Sequence, residues 1–186
     1  RKMKGNDKDA VQQDRLLAAA QAAIEAGNPA RVVEVDEEDA KAWRMLQLLT
    51  TKPVLYVCNV AEEDAAEGNE LSAKVFAKAA AEGAQAVVVS AAIEAELVAM
   101  PVEDRGEFLE ALGLTESGLA RVIRAGYKLL GLKTFFTAGP KEARAWTIPV
   151  GATAPQAAGV IHTDFERGFI KAEIVSFADL VEAGSM

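Results

Sequence analysis

Short apolar runs alternate along the chain with longer stretches in which apolar residues recur every three or four positions. The run that begins at Pro53 and the run Ala86–Val89 are each typical of a strand buried on both faces of a parallel sheet. Between them, residues 70–82 have helical spacing. The side chains expected to face inward are Leu71, Val75 and Ala79. This order of strand, helix and strand predicts a right-handed crossover unit within an α/β fold.

Helical spacing predicts further helices on both sides of this unit. Residues 9–26 form an Ala-rich pattern that Gly27-Asn28-Pro29 ends, and residues 37–49 follow with Asp36 as the expected cap. The narrow apolar stripe of the first helix fits one arm of a coiled-coil hairpin or an ordinary surface helix. The three helices expected after the second strand cover residues 93–100, 102–112 and 117–130.

The last third of the chain has a different pattern. Residues 134–139 and 143–151 predict two strands around a turn at Gly139-Pro140. Thr153 is expected to cap a helix that reaches about Thr163, and residues 169–177 alternate as a third strand would. A hairpin, a helix and another strand are the beginning of a β-grasp fold.

Composition limits the kind of protein. The 186 residues are 51% apolar and 26% charged, as in an ordinary soluble globular protein. A net charge of −8 argues against coating nucleic acid through bulk charge, although a local basic patch stays open. Cys58 has no partner for an internal disulfide, which fits a reducing compartment. No apolar run reaches the ~18 residues of a membrane span. The chain shows no signal peptide and does not begin with Met, so we expect a piece of a longer protein.

Candidate chemistry lies where the two predicted strands end. The first ends in Asn59-Val60-Ala61-Glu62 and the second in Ser90-Ala91-Ala92, and both ends belong to one edge of the sheet, where ligands of open α/β folds bind. The first motif resembles the base-reading Asn-Lys-x-Asp of P-loop GTPases, with Val60 in place of Lys and Glu62 in place of Asp. The second resembles their Ser-Ala-Lys turn, which lends backbone groups to the base, with Ala92 in place of Lys.

These substitutions weaken the case for guanine. An Asn-hydrophobic-x-Glu motif resembles that of the YchF-type subfamily of Obg-like P-loop NTPases, whose members prefer ATP. By this resemblance Asn59 reads the base, Val60 packs on it, Glu62 pairs with it, and Ser90, Ala91 and Ala92 act through their backbone. A turn residue after a strand and an exposed acid are the structural alternatives for Asn59 and Glu62.

The resemblance extends from about residue 36 to residue 182. The segments that carry it are Arg124–Lys128, Thr134–Gly139, Arg144–Gly151, Ala154–Gly159 and Ile161–Ile170. It implies a partial P-loop NTPase with a parallel sheet: residues 1–50 as a helical (coiled-coil) arm, 51–132 as the C-terminal half of the G domain, and 133–186 as a TGS (β-grasp) domain that stops before its closing strands. It also implies a cytoplasmic parent that binds and hydrolyses ATP, GTP being less favoured, with Mg²⁺, and that binds the ribosome through the large subunit or ribosomal RNA. Membranes and DNA are not expected partners.

One departure from the family limits what this segment can do. No Gly-x-x-x-x-Gly-Lys-Ser/Thr motif occurs, since the spacing Gly113–Gly118 is followed by Leu119. We therefore expect the parent to be the enzyme and this segment to be inactive, with no catalytic and no metal residues. The alternative is a non-catalytic module that binds the ribosome or RNA through the TGS domain and helical arm. A sheet without its first strands is also expected to expose apolar edges.

Other residues have predicted roles that are mainly structural. Arg121, Arg124 and Lys128 share one helix face, which fits either a solvated basic surface or a phosphate contact. The acidic residues 36–39 are expected to be a solvated helix start. The remaining expectations are a hydrogen-bonding role for His162 beside Asp164, burial of Cys58 with redox sensitivity left open, and a core position for Trp146.

Overall fold

The computed structural model describes residues 7–184. Its contacts divide the chain into two compact units, one ending at Leu129 and one beginning at Leu130. The predicted terminal segment of residues 1–8 lies mostly outside the described residues.

The first unit begins with a helical segment that only partly matches the prediction. Helix α1 (Lys8–Glu25) is capped by the Asp7 side chain, and a 3-10 turn (Ala30–Val32) follows it. Helix α2 covers only Ala40–Met45, and a second 3-10 turn covers Leu49–Thr51. The predicted helix over residues 37–49 is therefore too long at both ends.

Asp39 explains where α2 begins, and it corrects the predicted cap. Its carboxylate accepts hydrogen bonds from Gln12 Nε2 at 2.6 Å and from Arg15, both on α1. The residue is buried, so the prediction that acidic residues 36–39 are all solvated is wrong for Asp39. Since residues 37–39 form the turn that presents this carboxylate, the helix starts after them at Ala40, and Asp36 does not act as its cap.

The predicted crossover of strand, helix and strand forms within the first unit. Strand β1 (Leu55–Asn59), helix α3 (Glu70–Ala81) and strand β2 (Gln85–Val89) follow one another, and the two strands pair in parallel with Leu55 opposite Gln85 and Asn59 opposite Val89. Asn69 caps α3 through a reciprocal box, because its Oδ1 accepts from Ser72 N at 3.0 Å while Ser72 Oγ accepts from its backbone N–H at 2.8 Å.

Two burial predictions for this crossover are wrong. Leu71 is 71% exposed, whereas Ala79 is buried as predicted and α3 also buries Ser72. The strand β1 is not buried on both faces, since Val57 is 49% exposed. Within residues 7–184 the sheet consists of β1 and β2 alone. A strand with one neighbour and few helices packed over it cannot bury both of its faces.

Three helices complete the first unit, namely α4 (Ala91–Ala99), α5 (Arg105–Ala111) and α6 (Gly118–Leu129). The helix predicted from Val102 begins three residues later, and Val102 is exposed. A core cluster joins α4 and α5 to the loop before α3. Its members are Ala65, Ile93, Leu97 and Leu114, with Phe108, Leu109 and Leu112 packed against them.

The second unit contains the predicted hairpin and helix but lacks the predicted third strand. Strands β3 (Leu132–Ala138) and β4 (Ala143–Pro149) pair in antiparallel fashion, and helix α7 (Ala154–Ile161) packs against β4. Gln156 Oε1 accepts from Thr153 N at 2.8 Å, as in a capping box. Two short helices follow, α8 (Thr163–Arg167) and α9 (Phe177–Ala183).

Residues 169–176 have no regular secondary structure, so the strand predicted over 169–177 is wrong. An alternating pattern becomes a strand only when another strand accepts its hydrogen bonds, and in the described part of the chain β3 and β4 pair only with each other. Phe169 is half-buried, but the other large apolar side chains of this segment are exposed, with Ile170 at 91% and Ile174 at 86%.

Candidate functional site

The parallel pair brings the two predicted motifs together. Asn59 is the last residue of β1 and lies opposite Val89, the last residue of β2, so Asn59 and Ser90 lie at one edge of the sheet. The N–H of Val60 extends the ladder by donating to the Val89 carbonyl at 2.9 Å. Residues that are about 30 positions apart in sequence therefore form one local surface at the carboxyl ends of the strands.

A direct side-chain contact links the two motifs. The N–H of Ala91 donates to Asn59 Oδ1 at 2.9 Å. This bond fixes which end of the amide faces the turn, since a carbonyl oxygen accepts and the NH₂ group donates. The Asn59 Nδ2 group remains as a donor on an exposed side chain beside the turn. An amide held in this way can offer a donor of defined direction to a ring acceptor.

The turn after β2 combines a buried hydroxyl with exposed backbone. Ser90 is only 2% exposed, and within residues 7–184 its Oγ has no hydrogen-bond partner. Ala91 and Ala92 are exposed and form the first turn of α4, where helix N–H groups have no intrahelical carbonyl to bind. The Ala91 N–H already donates to Asn59 Oδ1, so one backbone donor of this turn is occupied in the absence of a ligand.

Glu62 lies apart from this pair. It begins a 3-10 turn (Glu62–Asp64) and is exposed. Within the described residues the Glu62 carboxylate forms no hydrogen bond and no ion pair. The structure thus joins Asn59 to Ala91 directly but leaves Glu62 as a free carboxylate three residues beyond Asn59.

Among the concavities of the first unit, a smaller one involves predicted site residues and a larger one does not. A pocket of about 290 Å³ lies along β1 and the start of α3, where Asn59, Val60 and Cys58 contribute to its lining. Cys58 is half-buried here rather than buried as predicted, because this pocket opens beside it. A cleft of about 660 Å³ lies between α3, β2 and α6 and includes none of the predicted base-site residues.

The basic residues of α6 line the larger cleft, and two of them have partners in the chain. Arg121 donates from both terminal nitrogens to the Ala65 carbonyl, at 3.2 and 3.3 Å. Arg124 pairs with the Glu116 carboxylate. Arg121 thereby fastens α6 to the loop before α3. These contacts give Arg121 and Arg124 structural roles. The alternatives from the sequence were a solvated basic surface and a phosphate contact.

Sequence reasoning missed a polar cluster behind the sheet. Glu82 accepts from Tyr56 Oη at 2.7 Å, from Lys78 Nζ at 2.5 Å and from an Arg31 terminal nitrogen at 3.2 Å. The hydrogen bond to Lys78, then that to Tyr56, lowers the Glu82 pKa, while the hydrogen bond to Glu82 is the main cause that raises the pKa values of Tyr56 and Lys78. The i, i+4 spacing of Lys78 and Glu82 was a visible signal, whereas Tyr56 and Arg31 reach this point only through the fold.

The remaining predicted residues have local structural roles. His162 Nδ1 accepts from Asp164 N at 3.2 Å and so caps α8, in line with the predicted hydrogen-bonding role. Trp146 is only half-buried on the hairpin, so its predicted core position is wrong. In the part of the chain that the structure describes, no group of three or more His, Cys, Asp or Glu side chains could hold a metal ion. No helix among residues 7–184 is long and apolar enough to cross a membrane.

Comparisons with known proteins give a consistent result. A family model described as "YchF-GTPase_C: Protein of unknown function (DUF933)" matches residues 132–186. The "Ribosome-binding ATPase YchF" of Bacillus subtilis (strain 168) is 50% identical over 185 residues, which is 98% of this chain and 50% of that protein. Its counterpart of the same name in Escherichia coli O157:H7 is 51% identical over 181 residues, 97% of this chain and 50% of that protein.

More distant relatives agree. The "Obg-like ATPase 1" of Caenorhabditis elegans is 39% identical over 184 residues, 97% of this chain and 46% of that protein. A solved structure of the Schizosaccharomyces pombe YchF GTPase superposes with a TM-score of 0.72 at 35% identity, covering 87% of this chain and 43% of that one. The chain spans about half the length of the curated relatives it matches.

Proposed function

Since this chain belongs to the YchF family, we propose that it is the base-recognising part of a nucleoside triphosphate hydrolase that prefers ATP. Its fold is α/β, part of a P-loop NTPase followed by a C-terminal domain. Within it we propose a helical arm over residues 1–50, the second half of the G domain over 51–132 and a TGS domain over 133–186. The observation that carries the proposal is the 2.9 Å hydrogen bond between Asn59 Oδ1 and the Ala91 N–H, because it couples the two strand-end motifs into one rigid edge.

Each residue of this edge has a proposed part. Asn59, oriented by Ala91, donates through Nδ2 to the base. Val60 packs against the ring face, and Glu62 accepts from an exocyclic amino group such as that of adenine. Ser90, Ala91 and Ala92 contribute backbone groups. GTP is the less favoured ligand, because the Lys that covers guanine in the related motif is replaced by Val60.

The residues described here fit a base but not the rest of the nucleotide. The chain has no Walker A motif and, within residues 7–184, no cluster of side chains suited to Mg²⁺. When bound, Mg²⁺ neutralises phosphate charge in such enzymes. We therefore assign phosphate and Mg²⁺ binding to the parent protein outside this chain, and we expect the 186-residue segment alone to show no saturable ATP hydrolysis.

A base-exchange experiment on the complete protein tests this proposal. ATP and GTP affinities are compared for the wild type and for the double variant Val60→Lys with Glu62→Asp, which restores the guanine-type motif. We expect wild type to favour ATP and the double variant to shift its preference toward GTP by about tenfold, since a well-formed pair of hydrogen bonds is worth about 1–3 kcal/mol.

Two further variants test whether a change in nucleotide preference comes from this motif. Glu63→Asp, the neighbouring exposed acid, should leave the preference unchanged. Asn59→Ala should weaken the binding of both nucleotides, because it removes a donor to the base and also the hydrogen bond that holds the Ala91 turn. An unchanged preference in the double variant, with folding intact by circular dichroism, would mean that the motif has no part in base recognition.

A second function has a separate basis. The Bacillus subtilis and Escherichia coli relatives are named ribosome-binding. We propose cytoplasmic ribosome association, through the large subunit or its RNA, as the role of the C-terminal unit and helical arm. Sedimentation of the complete protein with purified ribosomes at increasing salt is the measurement. Co-sedimentation that weakens steadily with salt supports electrostatic contacts with RNA, and its absence at low salt contradicts the proposal.

A further inference from the structure

The β3–β4 hairpin carries charge of the opposite sign to the rest of the chain. Residues 130–152 contain three basic residues, Lys133, Lys141 and Arg144, against one acidic residue, Glu142, in a chain of net charge −8. All three basic residues are exposed, and within residues 7–184 none of them forms an ion pair. This hairpin therefore presents local positive charge that the chain itself does not neutralise.

An ordered cation–aromatic pair lies on one face of the same hairpin. The Arg144 guanidinium carbon lies 4.2 Å from the centre of the Trp146 ring. The indole is held in turn, because its Nε1 donates to Thr137 Oγ1 at 2.9 Å on the neighbouring strand. The hydrogen bond from Nε1 and the cation over the ring restrict this half-buried indole to few orientations. A ligand that stacks on the pair therefore costs little additional conformational entropy.

The register puts a lysine next to this pair. Phe135 lies opposite Trp146, and Thr137 lies opposite Arg144. Since side chains two residues apart on a strand share a face, Lys133 follows on the same face as Phe135, about 7 Å further along. Lys141 lies in the turn beyond Ala138, at the other end of the hairpin. Exposed cations thus flank the aromatic pair on both sides.

We infer that the hairpin face of Arg144 and Trp146 binds unpaired RNA, with a base stacked on the pair and Lys133 and Lys141 on adjoining phosphates. This inference deepens and rests on the proposed ribosome association. Unpaired bases stack on aromatic rings and on guanidinium planes, whereas bases inside a duplex are not accessible in this way. The positive charge favours a phosphate backbone over an apolar protein surface as the first partner. The ordered stacking pair favours a nucleic acid over an acidic protein surface.

Each unit has a single tryptophan, which makes a sharp test possible. The chain contains only Trp43, in α2, and Trp146. In the full 186-residue chain carrying Trp43→Phe, a 12-nucleotide unpaired RNA should quench the Trp146 emission. In the chain carrying Trp146→Phe, the same RNA should leave the Trp43 emission unchanged. Quenching of both tryptophans or of neither overturns the inference.

Affinities measured by fluorescence anisotropy of labelled RNA complete the test. Trp146→Ala and Arg144→Ala should each weaken binding about tenfold, and Trp146→Phe should retain most of it, because base stacking needs a ring. Lys133→Ala should reduce the slope of log affinity against log salt by about 0.7. A duplex of the same sequence should bind at least tenfold more weakly than the single strand.

Matched controls come from the same unit. Phe136→Ala removes a more exposed aromatic ring from the opposite face of β3, and Arg167→Ala removes an exposed cation from α8; neither should change the affinity. Equal losses in these controls, or no loss in Trp146→Ala with a native circular dichroism spectrum, overturn the inference. If Trp146→Ala loses RNA binding but the complete protein still sediments with ribosomes, the ribosome proposal stands on other contacts. If RNA binds as expected and ribosomes do not, the ribosome proposal fails alone.

Discussion

Nine apolar side chains are buried in residues 7–129, whereas Ile148 is the one buried apolar side chain in residues 130–184. The first unit combines its core with a pair of strand ends whose side chains are held by internal hydrogen bonds. The second unit displays its large side chains, including Phe136 at 64% and Phe177 at 69% exposure. Under the two proposals above, the first unit offers a preset edge to a small planar ligand, and the second offers an exposed charged and aromatic surface.

The difference also separates two sources of order. In the first unit, burial of Ile93 and Leu97 fixes α4, and α4 in turn fixes the turn that Asn59 contacts. In the second unit, the Thr137–Trp146 bond and the cation on the ring fix a surface pair with little burial behind them. Mutations in the core should therefore disturb the first site, and mutations of single surface groups should disturb the second.

The largest expected effect comes from the core of the first unit. Ile93→Ala should lower the free energy of unfolding by about 2–5 kcal/mol, because it removes buried methyl groups and leaves a cavity. Urea unfolding followed through Trp43, in a Trp146→Phe background, is the measurement. Val98→Ala on the same helix is 80% exposed and should change it by less than about 0.5 kcal/mol. Similar losses in both variants would show that α4 does not organise a core.

A pH effect of intermediate size should be confined to the first unit. The Glu82 pKa is lowered, so its contribution to stability is present above the ordinary value of 4.5 and is lost as the pH falls through the folded pKa. The Tyr56 and Lys78 pKa values are raised, so their contributions are present below 10.0 and 10.5 and are lost as the pH rises through their folded pKa values. Stability should be level between these limits and fall on both sides.

The check is urea unfolding at pH 3.5, 7 and 11.5, again read through Trp43. Glu82→Gln should flatten both limbs of the profile, because all three shifts depend on the Glu82 charge. Glu96→Gln, an exposed acid on α4, should leave the profile unchanged. If the limbs persist in Glu82→Gln, groups outside the Glu82 cluster control the pH dependence.

The smallest effect is expected in the second unit, in the segment predicted as a strand. Ile174→Ser should change the free energy of unfolding by less than about 0.5 kcal/mol, because the side chain is 86% exposed. Unfolding read through Trp146 in a Trp43→Phe background measures it, with Ile148→Ala as the contrasting variant, since Ile148 is 4% exposed. A loss above 1 kcal/mol for Ile174→Ser would mean that this segment packs against other residues after all.

The sequence sufficed for the parts of the fold that depend on local pattern. The order β1, α3, β2, the hairpin and the capped α7 were predicted from periodicity and turn residues, and the family followed from motifs in order along the chain. The meeting of Asn59 with the Ser90 turn was also predicted, because the carboxyl ends of parallel strands share an edge. The roles of Asn59, Val60, Glu62 and the Ser90 turn in base binding stay predictions.

What only the tertiary structure decided depends on partners distant in sequence. Asp39 became a buried acceptor because α1 presents Gln12 and Arg15 to it, which shortened α2. The segment 169–176 has a strand pattern, but a strand exists only where another edge accepts its hydrogen bonds. The Glu82 cluster and the Arg144–Trp146 pair arose in the same way. Local propensity depends on residues that are neighbours in sequence. Burial, hydrogen-bond partners and pKa shifts depend on the side chains that the fold places in contact.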